Sequence, residues 1–163
     1  MPNLSKVKKR YEIIYDNFAI AILHPITTNI KYLQKESQNF FNSLVKSNLN
    51  YILIYPNNDH GSEIILKELK KFNKNKKFRI FPSIRFEYYL TLLKNCRFII
   101  GNSSSGIMEA PYYGVSTINI GDRQKNRLKS KLIKNINFNQ KEILKAINFA
   151  KNRKIIKRKF FGE

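Results

Sequence analysis

The chain has 163 residues and carries 31 Lys and Arg against 11 Asp and Glu, a formal net charge of +20. That length suits one domain around one core, and 42% hydrophobic residues is too many for a disordered chain. The longest apolar runs are far too short to span a bilayer, no apolar segment follows the basic start to form a signal peptide, and the single cysteine, Cys96, excludes an internal disulfide and a zinc signature.

Short β-rich runs alternate with helical patterns along the chain. Phe18-Ala-Ile-Ala-Ile-Leu23 predicts a buried strand. Residues 29–47 then place Ile30, Leu33, Phe40, Phe41, Leu44 and Val45 on one helical stripe. Tyr51-Ile-Leu-Ile-Tyr55 predicts a strand closed by Pro56, and residues 61–73 carry Ile64, Ile65, Leu66, Leu69 and Phe72 at helical spacing. Phe78-Arg-Ile-Phe81 is a short strand stopped by Pro82, and residues 86–95 fit a helix with Tyr89, Leu90 and Leu93 inward. Phe98-Ile-Ile100 is a strand running into Gly101, residues 103–113 predict one helix, Val115-Ser-Thr-Ile-Asn-Ile120 a strand, and residues 140–151 a last amphipathic helix. Five strands separated by helices point to an α/β fold, a doubly wound parallel sheet. The first and last dozen residues are rich in Lys and Arg and are expected to be frayed or to be cut ends of a larger protein.

A surplus of positive charge often marks binding to nucleic acid or an anionic membrane. Here the cations are dispersed and mostly Lys, with no Arg-rich tract, RNA-binding aromatic motif or zinc finger. The abundant Asn and Ile fit the bias of an AT-rich genome. Nucleic-acid binding is therefore the weakest of the functional readings, membrane binding is not expected, and the charge itself has no functional explanation. The expected location is the cytoplasm.

In an open parallel sheet, ligands bind beyond the carboxyl ends of the strands. Four polar segments follow apolar strands: His24-Pro-Ile-Thr-Thr28, Pro56-Asn-Asn-Asp-His-Gly61, Gly101-Asn-Ser-Ser-Ser-Gly106 and Gly121-Asp-Arg-Gln124. The third is the most informative. Gly101 permits a turn that other residues resist, and the serines that follow suit a phosphate at a helix start, where N–H groups are free. A simple N-cap is the bland reading, but a run of four small polar residues between glycines exceeds what a cap requires. Glu109, just over one turn on, can accept both hydroxyls of a ribose or can merely complement the helix dipole. Arg123 can reach the same crevice or be a surface arginine. A lone histidine is more often structural, but His24 follows a buried strand directly, a position that raises the odds of a functional role. His60 sits in a polar loop and can equally be solvated.

These segments carry a resemblance. His24-Pro-Ile-Thr-Thr-Asn-Ile-Lys31, Tyr55-Pro-Asn-Asn-Asp-His-Gly-Ser62, Gly101-Asn-Ser-Ser-Ser-Gly106-Ile-Met-Glu109 and Val115-Ser-Thr-Ile-Asn-Ile-Gly-Asp-Arg-Gln124 resemble, in order and spacing, the motifs of hydrolysing UDP-N-acetylglucosamine 2-epimerases. The resemblance implies that residues 1–163 form one Rossmann-like UDP-binding domain, the C-terminal half of a GT-B-like two-domain fold, with the N-terminal half absent. It implies a UDP site made of His24, Asn57, Ser103, Ser104, Glu109 and Arg123, with His24 on the diphosphate side, Asn57 near the uridine, the serines on phosphate and Glu109 on the ribose. His24 and Ser104 are the positions expected closest to the chemistry. No metal or cofactor is implied. The family reaction eliminates UDP from UDP-N-acetylglucosamine and hydrates the glycal to N-acetylmannosamine, an entry to sialic-acid-type sugars. The family's acid and base carboxylates lie on the N-terminal half, and Glu63, Glu68 and Glu87 read as helix-surface residues. The Phe160-Phe-Gly-Glu163 ending departs from the family's usual one. The chain is therefore expected to need an N-terminal partner domain, to form a homo-oligomer as the family commonly does, and to be inactive alone. The alternative is a stand-alone nucleotide-sugar-binding module.

Overall fold

The computed structural model describes residues 1–27, 30–124 and 129–152. The expectations about the residue 160–163 ending, and about Thr28, lie outside the described residues.

The elements run α1 (Leu4–Arg10), β1 (Ala19–Ile22), α2 (Ile30–Ser47), β2 (Tyr51–Ile54), α3 (Ser62–Lys70), β3 (Phe78–Phe81), α4 (Phe86–Asn95) and β4 (Phe98–Gly101). A 3-10 turn (Ser104–Gly106) follows, then α5 (Glu109–Tyr112), β5 (Ser116–Ile120), β6 (Ile133–Ile136) and α6 (Gln140–Lys151). The strands form one sheet in the order β3-β2-β1-β4-β5-β6, and every neighbouring pair is parallel. The parallel α/β fold read from the sequence is the fold observed. The chain builds outward from β1 to β3, then returns to lay β4 on the other side of β1. That reversal opens a crevice between the carboxyl ends of β1 and β4.

Strand alternation sorts the core into two layers. Ala19 and Ala21 face one way with Leu53, Ile100 and Ile118, against Leu33, Phe40 and Phe41 of α2 and Ile143 and Ile147 of α6. Ile20 and Ile22 face the other way with Ile52 and Ile99, against Val7 of α1 and Tyr89, Leu92 and Leu93 of α4. Val45, expected on the buried stripe of α2, is 40% exposed, while its neighbour Leu44 is fully buried, so Val45 lies on the flank of the stripe.

Three expectations need correction. The N-terminal residues are not frayed: the Asn3 side chain accepts the Lys6 N–H at 2.9 Å, three cations fill the last turn of α1, and Val7 is fully buried. A sixth strand, β6, pairs with β5. The helix expected over residues 103–113 is broken into the 3-10 turn and the four-residue α5. Pro111 accounts for the break, because its ring would clash with the Ile107 carbonyl in a continuous helix and it has no N–H to give it.

The join between β1 and β4 rests on Gly101 and Asn102. Gly101 has φ +136°, and a Cβ there would lie 1.8 Å from the Ile22 carbonyl oxygen. Asn102 is fully buried. Its N–H donates to Ile22 O at 3.2 Å, its side-chain oxygen accepts the His24 N–H at 2.7 Å, and its side-chain amide donates to His24 O at 2.9 Å.

Two substitutions should show how much rests on this join. Asn102→Ala strands the His24 N–H and carbonyl and should lower stability by about 2–4 kcal/mol. Gly101→Ala, forced against backbone, should cost at least about 2 kcal/mol. Urea unfolding at constant slope checks both, and a midpoint within error of wild type for either would refute the account.

Candidate functional site

The crevice at the β1–β4 junction is built by three loops. His24 leaves β1, residues 101–106 leave β4, and Arg123 and Gln124 follow β5. Asn102 ties the three together. Its side chain clamps His24, and its carbonyl accepts from Arg123 Nη1 and Gln124 Nε2, both at 3.1 Å. The loop after β2 joins through the Asn57 N–H, which donates to His24 Nδ1 at 3.0 Å.

That last bond fixes the state of His24. A nitrogen that accepts a backbone N–H is unprotonated, so the neutral ring carries its proton on Nε2. Burial, and next the positive charge of Arg123, hold its pKa down to about 4. His24 is therefore a neutral donor at physiological pH.

The serines divide their work. Ser103 caps the 3-10 turn by accepting the Ser105 N–H at 3.3 Å. Ser104 is exposed. Ser105 is buried and shares a hydrogen bond with the Tyr89 hydroxyl, whose own ionisation burial pushes further up. Among the described residues, no acceptor takes the N–H of Ser103 or Ser104. Two backbone donors and the Ser104 hydroxyl are thus open at the head of the turn. With only a 3-10 turn and a four-residue helix behind them, the dipole contribution expected from a long helix is small.

Glu109 opens α5 as a half-buried residue. Its Oε2 is buried and has no hydrogen-bond partner among the described residues, an arrangement that costs free energy unless something supplies a donor. Gln124 is 7% exposed, and its Oε1 is likewise buried without a partner. The Asn57 side chain turns into its own loop, with Nδ2 on Asp59 Oδ2 at 2.9 Å and Oδ1 accepting the Asp59 N–H at 3.2 Å. What the structure shows of Asn57 is its hold on His24. A cleft of about 360 Å³ runs from this junction across the ends of β2 and β3. It is lined by His24, Asn57, Ser103 and Ser105 at one end and by Ile84 and Phe86 at the other.

All six residues singled out in the sequence lie at the carboxyl edge of the sheet, five in loops or turns and Glu109 at the start of α5. His24, Ser103 and Asn57 share the cleft wall, and Arg123 joins them through Asn102. His60 is exposed. Asn102, Gln124 and Tyr89 were not singled out. The available signal for Asn102 was an amide between Gly101 and a serine run, and for Gln124 its place beside Arg123. Glu68, read as a surface residue, is 3% exposed and pairs with Lys71 at 2.8 Å; Glu63 and Glu87 are exposed. No group of three or more His, Cys, Asp or Glu that could hold a metal occurs among the described residues, and no helix among them is long and apolar enough to cross a membrane.

Comparison with known proteins places the chain in a family. The family model for UDP-N-acetylglucosamine 2-epimerase matches residues 1–162. A UDP-N-acetylglucosamine 2-epimerase of Neisseria meningitidis serogroup B is 47% identical over 150 residues, covering 92% of this chain and 40% of that protein. Polysialic acid biosynthesis protein P7 of Escherichia coli is 34% identical over 158 residues, covering 96% of this chain and 40% of that protein. The chain thus spans about 40% of the length of these relatives. The fold also matches the Methanocaldococcus jannaschii UDP-GlcNAc 2-epimerase, solved in complex with UDP-GlcNAc and UDP, at a TM-score of 0.71, 20% identity, 97% of this chain and 45% of that one. From the match along nearly its whole length, the chain belongs to the UDP-N-acetylglucosamine 2-epimerase family.

Proposed function

We propose that this chain grips the UDP of a UDP-N-acetylglucosamine 2-epimerase of the hydrolysing kind, working in the cytoplasm on UDP-N-acetylglucosamine or a related 2-acetamido sugar. The observation that carries this reading is the unpartnered, buried Oε2 of Glu109 behind the open donors of residues 103 and 104. A diphosphate set against those N–H groups and the Ser104 hydroxyl would also meet the Nε2–H of His24 and the guanidinium of Arg123. The ribose, one step further along, would give Glu109 the hydroxyl donors it lacks. The base would lie along the apolar end of the cleft near Ile84 and Phe86.

In the reaction, the C2 proton leaves, the bond from C1 to the diphosphate oxygen breaks, and water adds to the glycal to give N-acetylmannosamine. The departing UDP carries the developing negative charge, which His24, Ser104 and Arg123 are placed to stabilise. Abstraction of the C2 proton needs a positioned base. Glu109 is assigned to the ribose and Glu68 pairs with Lys71, and the family resemblance implies acid and base carboxylates on an N-terminal half, so we assign the base and the acid to an N-terminal partner domain. A nucleotide-sugar-binding module without turnover is the second reading, and the same lack of a base favours it for the chain in isolation.

UDP should bind more tightly than uridine, which lacks the anionic groups. Ser104→Ala, Glu109→Ala and Arg123→Ala should each weaken UDP about tenfold or more, the value of a charge-assisted contact of about 1.5–3 kcal/mol. Titration calorimetry reads this directly; equal affinity for UDP and uridine, or three silent substitutions, would remove the site.

The purified chain should release little or no N-acetylmannosamine from UDP-N-acetylglucosamine. Robust turnover in a coupled assay would mean that it carries its own base.

His24 supplies a pH signature. Its folded pKa of about 4 lies below the ordinary histidine value of about 6.5, so protons favour the unfolded chain. The stabilisation is complete above pH 6.5 and is lost as the pH falls towards 4. His24→Asn keeps an acceptor for the Asn57 N–H without titrating, and should flatten that part of the profile in urea melts at pH 7, 5.5 and 4. Parallel profiles for the two proteins would contradict the assignment.

A further inference from the structure

The strands' amino ends form the opposite edge of the sheet, and a second concavity lies there. It encloses about 300 Å³ and is lined by Lys77, Arg97 and Lys151, with Asn17, Asn48 and Asn50 between them. Among the described residues, no Asp or Glu lines it.

Backbone ladders fix how these groups stand. Tyr51 N–H donates to Lys77 O at 2.8 Å, Ala19 N–H to Asn50 O at 2.9 Å, and Arg97 N–H to Phe18 O at 2.8 Å. Residues 77, 50, 18 and 97 therefore sit side by side across the starts of four neighbouring strands, at a spacing of about 4.8 Å each. Lys77 and Arg97 are about three spacings apart at the backbone, within reach of one small ligand for two long side chains. Lys151 comes from the last turn of α6.

The polar contacts of the two strand-start cations are neutral. Arg97 Nη2 donates to Asn17 Oδ1 at 3.0 Å, and Lys77 Nζ donates to Asn48 O at 3.0 Å. Neither Lys77, Arg97 nor Lys151 has an ion pair among the described residues. Asp16, in the loop before β1, is fully exposed and lies 3.9 Å from Lys8. Glu68, in α3, is taken by Lys71 at 2.8 Å. Lysines in last helical turns offset the helix dipole, which accounts for Lys46, Lys94 and Lys151. It does not account for Lys77 and Arg97, which stand at strand starts. An arginine fork, an ammonium pair and the Asn17 and Asn48 amides line one hollow with three positive charges, while Asn50 Nδ2 already donates to Asn17 O at 3.2 Å. That is a donor set for a multivalent oxyanion.

We propose that this amino-edge pocket binds a small multivalent oxyanion, a phosphate- or carboxylate-bearing metabolite, at a site separate from the nucleotide cleft. The volume is at the lower limit for small-ligand pockets, which fits a diphosphate or a tricarboxylate rather than a nucleotide. Part of the +20 charge that the nucleotide site leaves unexplained then has a use.

Amide-resolved NMR titration of the full chain tests the proposal, because it reports the two edges separately. The probes are inorganic pyrophosphate, inorganic phosphate and citrate. Saturable shifts at residues 17, 50, 77 and 97 with pyrophosphate or citrate, weakened at least fivefold in Lys77→Gln and in Arg97→Gln, would support it. Pyrophosphate stronger than citrate would name phosphate as the ligand group, and the reverse carboxylate. Shifts at residues 103–105 alone would place the anion in the cleft and overturn the proposal. So would weak, non-saturating shifts spread over the lysines, or binding unchanged in both variants. Each variant leaves the backbone ladder intact, and an unaltered spectrum outside the pocket verifies its fold.

Discussion

Asn102 spends every polar group it has on joining three strands. Its N–H and side chain hold the end of β1, and its carbonyl receives Arg123 and Gln124 from beyond β5. It can do this because Gly101 takes a positive φ and lets the backbone pass against the Ile22 carbonyl. A parallel sheet that reverses its direction of growth has no hydrogen-bond ladder beyond the strand ends to keep the first and fourth strands together. The Asn102 amide continues the ladder with a side chain. The positions of His24, Ser103, Ser104 and Arg123 all follow from that one residue.

The same join explains why the crevice holds strained electrostatics. His24 lies near Arg123 and away from water, so the ring stays neutral and its pKa falls to about 4. Glu109 and Gln124 each bury an oxygen with no donor in reach among the described residues. Buried oxygens in that state destabilise the unliganded fold. A ligand that brings hydroxyl or N–H donors would recover that free energy on binding. Stability given up at rest becomes selectivity for a ligand with donors at those points.

Much of this was legible in the sequence, for physical reasons. Alternating apolar runs fixed five strands, and the helical stripes of α2, α4 and α6 were wide enough to place within a residue or two. Two elements escaped. α1 has only Leu4 and Val7 to bury, so its periodicity is too thin to read. β6, at the sheet edge, exposes Lys134 and Asn135 and lacks an apolar run. The helix expected over residues 103–113 is longer than the one observed because Pro111 breaks it. Candidate site residues were found by position after strands, a rule that works because topology alone brings parallel strand ends together. Asn102 and Gln124 are not legible because the partners of their side chains are backbone atoms or, for Gln124 Oε1, none among the described residues. No side-chain pattern announces either.

Topology also governs where the charges lie. Every crossover helix runs antiparallel to the strands, so helix starts crowd the cleft edge and helix ends crowd the other. Dipole compensation then puts Glu63, Glu87, Glu109 and Glu142 in first turns and Lys46, Lys70, Lys94 and Lys151 in last turns. Among the described residues, the helix-end lysines therefore lie at the edge away from where a diphosphate would sit. At the cleft edge Arg85 is engaged by Glu87 at 3.0 Å, and Arg123 is turned onto Asn102. A nucleotide there would be met by neutral donors fixed in place, His24 and the turn at residues 103–104, together with the Arg123 guanidinium. Such a site would discriminate by geometry, since its donors are held by the backbone and by Asn102 before a ligand arrives.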